Sequence, residues 1–351
     1  MDFSLTSDQL ALRDLAREIL TKRCTPEHLR SLSQDPTGSD LDLWRTMANS
    51  GLVGISLPEA AGGGGLGFLE TCVVCAEVAR AGNAVPAFAV MGLGASALAE
   101  AGAVDALAGV ADGSRLVTAA LHEPVGDVFT PATTADADGR LHGAKVCVPA
   151  GGLADGYVVS ATDGLYYLAR DAAGLTVEVE GTTTGVPEAR LVLDGAQGRR
   201  IGDLDALRRL IMRGEAVACV MVAAACEAAL ALTTEYSKSR VQFERPIATF
   251  QAVSQRVADA YIDTEAVRLT AWQAAWRLDA GLDAAAQVAT AKFWAAEGGQ
   301  RVVHAAHHVH GGVGVDRDYP LHRYFLLVKH LELQLGSATP SLLRLGRLLA
   351  G

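Results

Sequence analysis

The chain has 351 residues, half of them apolar, and a formal net charge of -10 at neutral pH. This length and apolar content suffice for two or three domains with a sizeable core, and the acidic balance argues against a nucleic-acid partner. No charge-free apolar run reaches the roughly 18 residues of a transmembrane helix, and the first residues, MDFSLTSDQLALRDL, lack the basic start of a secretory signal. We therefore predict a cytoplasmic protein that does not bind membranes.

Residues 1–112 are predicted to form helices separated by turns. Apolar residues at helical spacing mark helices near Leu5–Leu20, Trp44–Leu52 and Phe68–Ala81. The glycines at 62–65 lack the Lys and Ser/Thr of a phosphate-binding P-loop, which favours a simple turn. Among six scattered cysteines, Cys72 and Cys75 form a CxxC inside an apolar helix. With no second pair to complete a zinc site, they are interpreted as small core residues of a protein in a reducing compartment.

Residues 113–203 are predicted to form a small antiparallel β domain. Short β-branched or aromatic runs alternate with Gly, Asp and Pro turns, and these runs are Leu116–Leu121, Ala144–Val148, Gly156–Ala161, Leu165–Ala169 and Leu175–Val179. Residues 204–351 return to long helical patterns, with Trp272, Trp276 and Trp294 as predicted core anchors. The predicted fold class is mainly α with a small central β domain.

The joint between two of the long helical patterns carries more chemistry than a turn requires. It runs from Arg240 to Gln251 and reads RVQFERPIATFQ. Arg240 ends the first helix, Pro246 stops the chain from continuing it, and Thr249 is a candidate N-cap for the next helix. Arg binds phosphates in bidentate fashion and Phe offers a ring for stacking. The joint therefore suits a nucleotide-bearing ligand, although a surface turn with incidental charges fits these residues equally well.

A second segment combines histidines with glycines, His307-His308-Val-His310-Gly311-Gly312. Three histidines invite a metal-binding interpretation, but no fourth ligand lies at a recognisable spacing, so no metal site is predicted. Small residues at 311 and 312 would let backbone amides approach a phosphate closely.

Taken together, these motifs resemble those of the acyl-CoA dehydrogenase family. The joint resembles its Arg-x-x-Phe-Gly-x-x-Ile…Gln signature, and the second segment, continuing to Tyr319-Pro320 and Arg323, resembles Gln-x-x-Gly-Gly-x-Gly…Tyr-Pro…Arg. A third motif lies near the start of the chain, Gly51-Leu…Pro58-Glu59 followed by the glycines at 62–65. It resembles the family's Gly-Leu…Pro-Glu…Gly-Gly-x-Gly turn. The resemblance covers nearly the whole chain. It implies a helical N-terminal domain (1–112), an antiparallel β middle domain (113–203) and a C-terminal four-helix bundle (204–351), with FAD as cofactor and an acyl-CoA thioester as substrate.

The family's catalytic base is missing from its usual positions. Aligned from Tyr319-Pro320, the Glu of a Tyr-Glu-Gly-Thr turn falls on Leu335, which cannot accept a proton. The alternative helical position falls on Gly214, with Glu215 one residue further, which is about 100° around a helix. We favour a solvated carboxylate near a helix start for Glu215, with service as an atypical base as the alternative. No catalytic residue is assigned.

The segments that resemble the family's flavin-ring contacts are altered as well. A Thr-Glu-Pro-x-x-Gly-Ser-Asp loop becomes His122-Glu123-Pro124-Val-Gly-Asp, with Phe129-Thr130 after it. A Trp-Ile-Thr strand becomes Val146-Cys-Val-Pro149, where Pro149 removes a backbone donor. These replacements predict a poor site for the reactive ring.

In this family a flavin is shared between subunits, and this chain resembles only one half of that site. The residues kept are those that meet the adenosine and pyrophosphate, predicted here to be Arg240, Phe243, Gln251, Gly311 and Gly312, with His308 in place of a Gln. Glu244, where the family has Gly, would repel a pyrophosphate unless it turned onto Arg245. The resemblance is to the shorter subunit of heteromeric actinobacterial steroid side-chain dehydrogenases, which implies an α2β2 partner with the base and an electron-transfer flavoprotein or similar acceptor. The alternatives are a homomeric enzyme that uses Glu215 and a non-catalytic scaffold.

Overall fold

The structure is a computed structural model that describes residues 3–350 and divides the chain into two compact units. The first, called the bundle unit, comprises the chain up to Ser31, Ala76–Asn83 and the chain from Glu215 onward. The second, called the sheet unit, comprises Leu32–Cys75 and Ala84–Gly214. The three predicted domains, with boundaries at residues 112 and 203, are continuous segments of the chain, whereas each compact unit combines several segments. The predicted domain boundaries stay a prediction.

Ten α-helices are found within the described residues. They are α1 (Ser7–Arg23), α2 (Pro26–Leu32), α3 (Leu41–Asn49), α4 (Phe68–Arg80), α5 (Ala95–Glu100), α6 (Leu204–Ser239), α7 (Gln251–Asp279), α8 (Ala285–His310), α9 (Leu321–Leu333) and α10 (Ala338–Ala350). A π-helical segment, Phe88–Gly94, leads directly into α5. The three N-terminal helices predicted from apolar spacing correspond to α1, α3 and α4.

The strands of the sheet unit form two four-stranded sheets. The strands are β1 (Val117–Ala120), β2 (Thr134–Ala135), β3 (Arg140–Val148), β4 (Gly156–Ala161), β5 (Gly164–Ala169), β6 (Leu175–Glu180), β7 (Glu188–Gln197) and β8 (Arg199–Gly202). Their orders are β1-β4-β5-β8 and β2-β3-β7-β6. The pairings are antiparallel as predicted, with the exception that β1 runs parallel to β4. One apolar cluster is shared by the two sheets, and it includes Leu141, Tyr157, Leu168, Leu191 and Leu193.

The first helix and the third begin with side-chain caps that the sequence encodes. Thr6 and Gln9 form a capping box at the start of α1, and the Asp40 carboxylate accepts a hydrogen bond from the Leu43 amide at the start of α3. Between α3 and α4, a Cβ added at Gly63 would lie 2.2 Å from the Leu57 carbonyl oxygen. The glycine cluster is therefore a tight turn, in which the backbone itself needs the space.

Helix α6 forms the apolar centre of the bundle unit. It is long and apolar enough to cross a membrane by length and composition, but 72% of its most apolar window is buried inside the protein. Its hydrophobicity is thus that of a core helix. The side chains of Cys72 and Cys75 on α4 are fully buried, and burial raises the pKa of Cys75 to about 12. These two cysteines are core residues, as the sequence predicts.

The prediction that three tryptophans anchor the core of the helical region was wrong. Trp272, Trp276 and Trp294 are only partly buried in the chain. The buried positions of α7 and α8 are instead occupied mostly by alanine and glycine, for example Ala271, Ala275 and Gly299. Small side chains allow helix axes to approach closely, and a large indole at those positions would hold the helices apart.

Candidate functional site

The joint after α6 is a two-residue hairpin. Strand β9 (Val241–Gln242) pairs with β10 (Arg245–Pro246) in antiparallel register, so Phe243 and Glu244 form the loop. Their φ angles are 51° and 66°. A loop with two positive φ angles matches the twist of the flanking strands, but it normally selects Gly or Asn. Glu244 therefore sits in backbone geometry that favours glycine.

The hairpin presents its aromatic residue to solvent. Phe243 is 88% exposed, and its ring meets the edge of Phe250 with a centroid separation of 6.1 Å. The Arg245 guanidinium lies 4.2 Å from the Phe250 ring centroid in a cation–π contact. Arg245 is thus oriented by Phe250, and no ion pair between it and Glu244 occurs in the part of the chain that the structure describes.

Helix α7 begins one residue later than the candidate cap predicts. Its N-cap is Phe250, without a side-chain cap hydrogen bond, and the Thr249 hydroxyl donates to the Pro246 carbonyl oxygen at 2.8 Å. The prediction of Thr249 as N-cap was wrong, because a 3-10 turn over Ile247–Thr249 occupies that residue. Gln251, the first residue of α7, is exposed.

The glycine segment follows the end of α8 directly. Gly311 has φ 59° and ψ -136°, and its amide donates to the carbonyl oxygens of His307 and His308. A Cβ at either Gly311 or Gly312 would meet no atom within 4 Å. Gly311 is therefore needed for its backbone conformation, while its amide closes the helix. Gly312 and His308 are exposed beside it.

Two tyrosine side chains contact His310, the last residue of α8. The His310 ring is buried and stacks on Tyr236 of α6, with ring centroids 4.3 Å apart. Its Nδ1 lies 2.8 Å from the Ala306 carbonyl oxygen, and its Nε2 lies 3.1 Å from the Tyr319 hydroxyl. Burial lowers the pKa of His310. From the sequence, this histidine was weighed only as a metal ligand, and neither tyrosine contact was predicted.

The positions where a catalytic base would be expected hold no free carboxylate. Leu335 is 3% exposed, just beyond α9. Glu215 lies well inside α6 and is fully buried, so the interpretation of a solvated carboxylate near a helix start was wrong. Its Oε2 accepts a hydrogen bond of 2.7 Å from Arg344 of α10. The apolar face of α6 carries this residue into the bundle, where Arg344 neutralises its charge.

A buried lysine accompanies this ion pair. Lys292 of α8 is fully buried, and its ammonium donates to the carbonyl oxygens of Leu331 at 2.7 Å and Glu332 at 3.0 Å, near the end of α9. Burial lowers its pKa, whereas the nearby Glu215 acts in the opposite direction. Two cationic groups, the Arg344 guanidinium and the Lys292 ammonium, thus lie near the Glu215 carboxylate inside the bundle unit.

In the sheet unit, the residues resembling flavin-ring contacts are engaged by their own chain. Glu123 accepts from the Lys145 ammonium at 2.7 Å and from Thr133. The Val146 amide donates to the His122 carbonyl oxygen at 3.0 Å, and Pro149 has no amide hydrogen to offer. The Glu123 carboxylate and the Val146 amide are therefore engaged within the sheet unit.

The chain is similar in sequence to proteins of a known family. The N-terminal domain of acyl-CoA dehydrogenases matches residues 6–106, and their C-terminal domain matches residues 202–347. Acyl-CoA dehydrogenase FadE27 of Mycobacterium tuberculosis is 38% identical, over 100% of this chain and 99% of its own length. The chain belongs to the acyl-CoA dehydrogenase family.

Two solved structures of this family are similar over almost the entire chain. One is a ChsE4–ChsE5 complex from Mycobacterium tuberculosis, with a TM-score of 0.93, 39% identity and coverage of 100% and 99%. The other is a variant of the Tcur3481–Tcur3483 steroid ACAD, with a TM-score of 0.92, 41% identity and coverage of 98% for both chains. Family membership confirms the predicted fold class and places the protein among the FAD-dependent acyl-CoA dehydrogenases.

Proposed function

We propose that the protein is one subunit of a heteromeric acyl-CoA dehydrogenase, in which it completes the FAD site of a homologous catalytic subunit. The partner carries the base and the contacts to the flavin ring. This chain supplies the surface that grips the adenosine and pyrophosphate.

The proposal rests on the exposure to solvent of the residues in the candidate half-site. All six residues assigned to cofactor binding are exposed, and they are Arg240, Phe243, Gln251, His308, Gly311 and Gly312. An exposed phenylalanine on a positive-φ hairpin is costly without a ligand or partner. A guanidinium, an aromatic ring and a carboxamide on one short stretch suit a dinucleotide that arrives with another subunit.

The residues present fit only this half of the cofactor. Arg240 would meet the pyrophosphate, Phe243 would stack or pack against the nucleotide, and Gln251 and the Gly312 backbone would donate hydrogen bonds. The segments around Glu123 and Pro149 do not fit the ring, as their polar groups are already bonded or missing. When bound, FAD accepts the hydride that leaves the acyl β-carbon while a carboxylate removes the α-proton.

Two side chains of this chain support placing the base on the partner subunit. Leu335 is aliphatic, and Glu215 forms an ion pair with Arg344. A base must approach the proton that it removes within hydrogen-bond distance and must be able to hold it. Both conditions are better met by a carboxylate on the partner subunit than by either residue.

The substrate and partners are proposed from the relatives. The Tcur3481–Tcur3483 protein is a steroid ACAD, and ChsE4–ChsE5 is a complex of two chains. We therefore propose an α2β2 assembly in the cytoplasm that oxidises the acyl-CoA of a steroid side chain or a related lipid. An electron-transfer flavoprotein or similar acceptor would reoxidise the flavin.

The test is the visible flavin spectrum and the flavin-to-chain ratio. The protein is purified alone and after co-expression with a longer homologue that carries Glu in the Tyr-Glu-Gly-Thr turn. A colourless lone protein and a yellow heteromer with one flavin per two chains would support the proposal. Full flavin and turnover from the lone protein would overturn it in favour of a homomeric enzyme.

A further inference from the structure

The two segments of the candidate half-site are distant in sequence but joined through one aromatic cluster. Tyr236 and His310 are 74 residues apart, yet their rings stack with an interplanar angle of 21°. Tyr319 completes the cluster, with its ring 5.1 Å from that of His310 and 6.4 Å from that of Tyr236. The cluster thus joins α6, α8 and the turn before α9.

The two hydrogen bonds of the His310 ring identify its tautomer in the neutral form. A carbonyl oxygen can only accept, so Nδ1 carries the hydrogen that is donated to Ala306. In the neutral ring Nε2 is then an acceptor, and the Tyr319 hydroxyl donates to it. Both ring nitrogens are satisfied, which allows an imidazole to remain buried at the end of a helix.

Each side of the cluster leads directly to a residue of the half-site. The Arg240 amide donates to the Tyr236 carbonyl oxygen at 2.8 Å, one helical turn further along. On the other side, His310 immediately precedes Gly311 and Gly312. The stacked rings of Tyr236 and His310 thus connect the end of α6, next to Arg240, with the end of α8, next to the glycine turn.

We propose that His310 is a positioning residue, which with Tyr236 and Tyr319 sets the spacing between Arg240 and the Gly311–Gly312 turn for gripping the FAD pyrophosphate. The inference rests on the proposed half-site function and names the internal support of that site. Plain core packing would explain a buried aliphatic side chain here. It does not explain an imidazole whose two nitrogens are bonded to a helix carbonyl and to a tyrosine hydroxyl, because such a ring must be desolvated to be buried.

The variants separate the ring from its hydrogen bonds. His310→Phe keeps a ring for stacking on Tyr236 and removes both hydrogen bonds, whereas Tyr319→Phe removes one hydroxyl only. His310→Gln retains an acceptor for the Tyr319 hydroxyl. The matched control is His307→Phe, one turn earlier, where Nδ1 also faces a carbonyl oxygen, that of Val303.

The experiment measures the FAD dissociation constant, the thermal midpoint and amide exchange at residues 311–315. It uses the heteromer with the longer homologue. We expect His310→Phe and Tyr319→Phe to raise the FAD Kd about tenfold, the equivalent of one lost hydrogen bond, and to speed amide exchange at 311–315. His310→Gln should recover part of the affinity, and His307→Phe should match the unmodified protein.

The outcomes distinguish this inference from the function on which it rests. If Arg240→Ala raises the FAD Kd while the His310 and Tyr319 variants only lower the thermal midpoint, the cluster is core packing and the inference is overturned. If Arg240→Ala leaves the Kd unchanged as well, the half-site function itself is overturned. Equal losses for His310→Phe and His307→Phe would also refute a specific role for His310.

Discussion

At the scale of single residues, Glu244 combines backbone strain with an unfavourable charge. Its φ of 66° costs about 1 kcal/mol for a residue other than glycine. We expect Glu244→Gly to raise the free energy of unfolding by up to that amount and to tighten FAD binding in the heteromer. Glu244→Gln is the matched control, since it removes the carboxylate and keeps the strain. FAD titration and urea unfolding of both variants provide the measurement, and weaker FAD binding in Glu244→Gly would contradict the expectation.

Glu215 tests whether this chain can carry out the chemistry itself. Removing one partner of a buried ion pair costs about 3–5 kcal/mol, so Glu215→Ala and Arg344→Ala should both destabilise the protein strongly. Glu215→Gln should fold, and the heteromer that contains it should retain its turnover. A loss of about a hundredfold or more in turnover, the usual contribution of a general base, with flavin content unchanged, would instead identify Glu215 as the base.

The pH dependence of stability should report on Glu123. Burial alone would raise its pKa, but hydrogen bonds from Lys145, Thr133 and backbone amides lower the pKa of Glu123 to about 2. A carboxylate whose pKa is depressed on folding stabilises the fold above its ordinary pKa of 4.5. This contribution is lost as the pH falls from 4.5 towards 2.

Thermal unfolding of the protein and of Glu123→Gln between pH 2 and 6 measures this effect. The unmodified protein should lose stability more steeply over that range than the variant does. At neutral pH, Glu123→Gln should be less stable by about 1–3 kcal/mol, because a charge-assisted hydrogen bond to buried Lys145 is removed. Identical pH slopes would show that Glu123 does not carry the acid sensitivity.

At the scale of elements, Arg323 of α9 ties the N-terminal helices to the rest of the bundle unit. Its Nε donates to the Gly82 carbonyl oxygen and its Nη1 to that of Leu29. The neighbouring Tyr324 hydroxyl donates to the Arg80 carbonyl oxygen at 2.8 Å. The arginine of the family's Tyr-Pro…Arg motif is therefore structural in this chain.

We expect Arg323→Ala to lower the free energy of unfolding by roughly 2–4 kcal/mol, the loss of two hydrogen bonds from a buried charged group. The exposed Arg317→Ala is the control. Hydrogen exchange should rise first in α2 and at the end of α4, where the two carbonyl oxygens lie. A uniform change over the whole chain, with no preference for these segments, would argue against a local tie.

The elements also show what sequence patterns can predict. Five strands were predicted near their observed positions, since β-branched and aromatic runs report local burial. Strand β7 was missed, although it lies inside its sheet between β3 and β6. Its second half, DGAQ, has low strand propensity, and its extended form comes from pairing with segments distant in sequence, Arg140–Val148 and Leu175–Glu180.

At the scale of the whole molecule, substitution of Arg240 should separate cofactor retention from assembly of the heteromer. In the proposed half-site, Arg240→Ala would remove a charge-assisted hydrogen bond to a phosphate, and we expect the FAD Kd of the heteromer to rise about 10–100-fold. Assembly should be unchanged, because Arg240 is an exposed residue of the hairpin. Size-exclusion chromatography with simultaneous flavin absorbance measures both. Unchanged flavin content would favour the scaffold alternative.

The amino-acid sequence was sufficient to predict the family and the order of helical and β segments and to propose the candidate half-site. These depend on local residue types, because a helix face, a turn or a phosphate-binding motif is written in consecutive residues. It also showed that Leu335 cannot be a base, since an aliphatic side chain holds no proton wherever it lies.

The surroundings of the titratable groups, in contrast, became known from the folded chain. The burial of Glu215 against Arg344, more than a hundred residues away in sequence, converts a predicted surface carboxylate into part of the core. His310 likewise changes from a metal candidate to a bonded ring through Tyr236 and Tyr319. Desolvation and pairing depend on which distant side chains the fold brings within a few ångströms, and one-dimensional spacing carries no record of those distances.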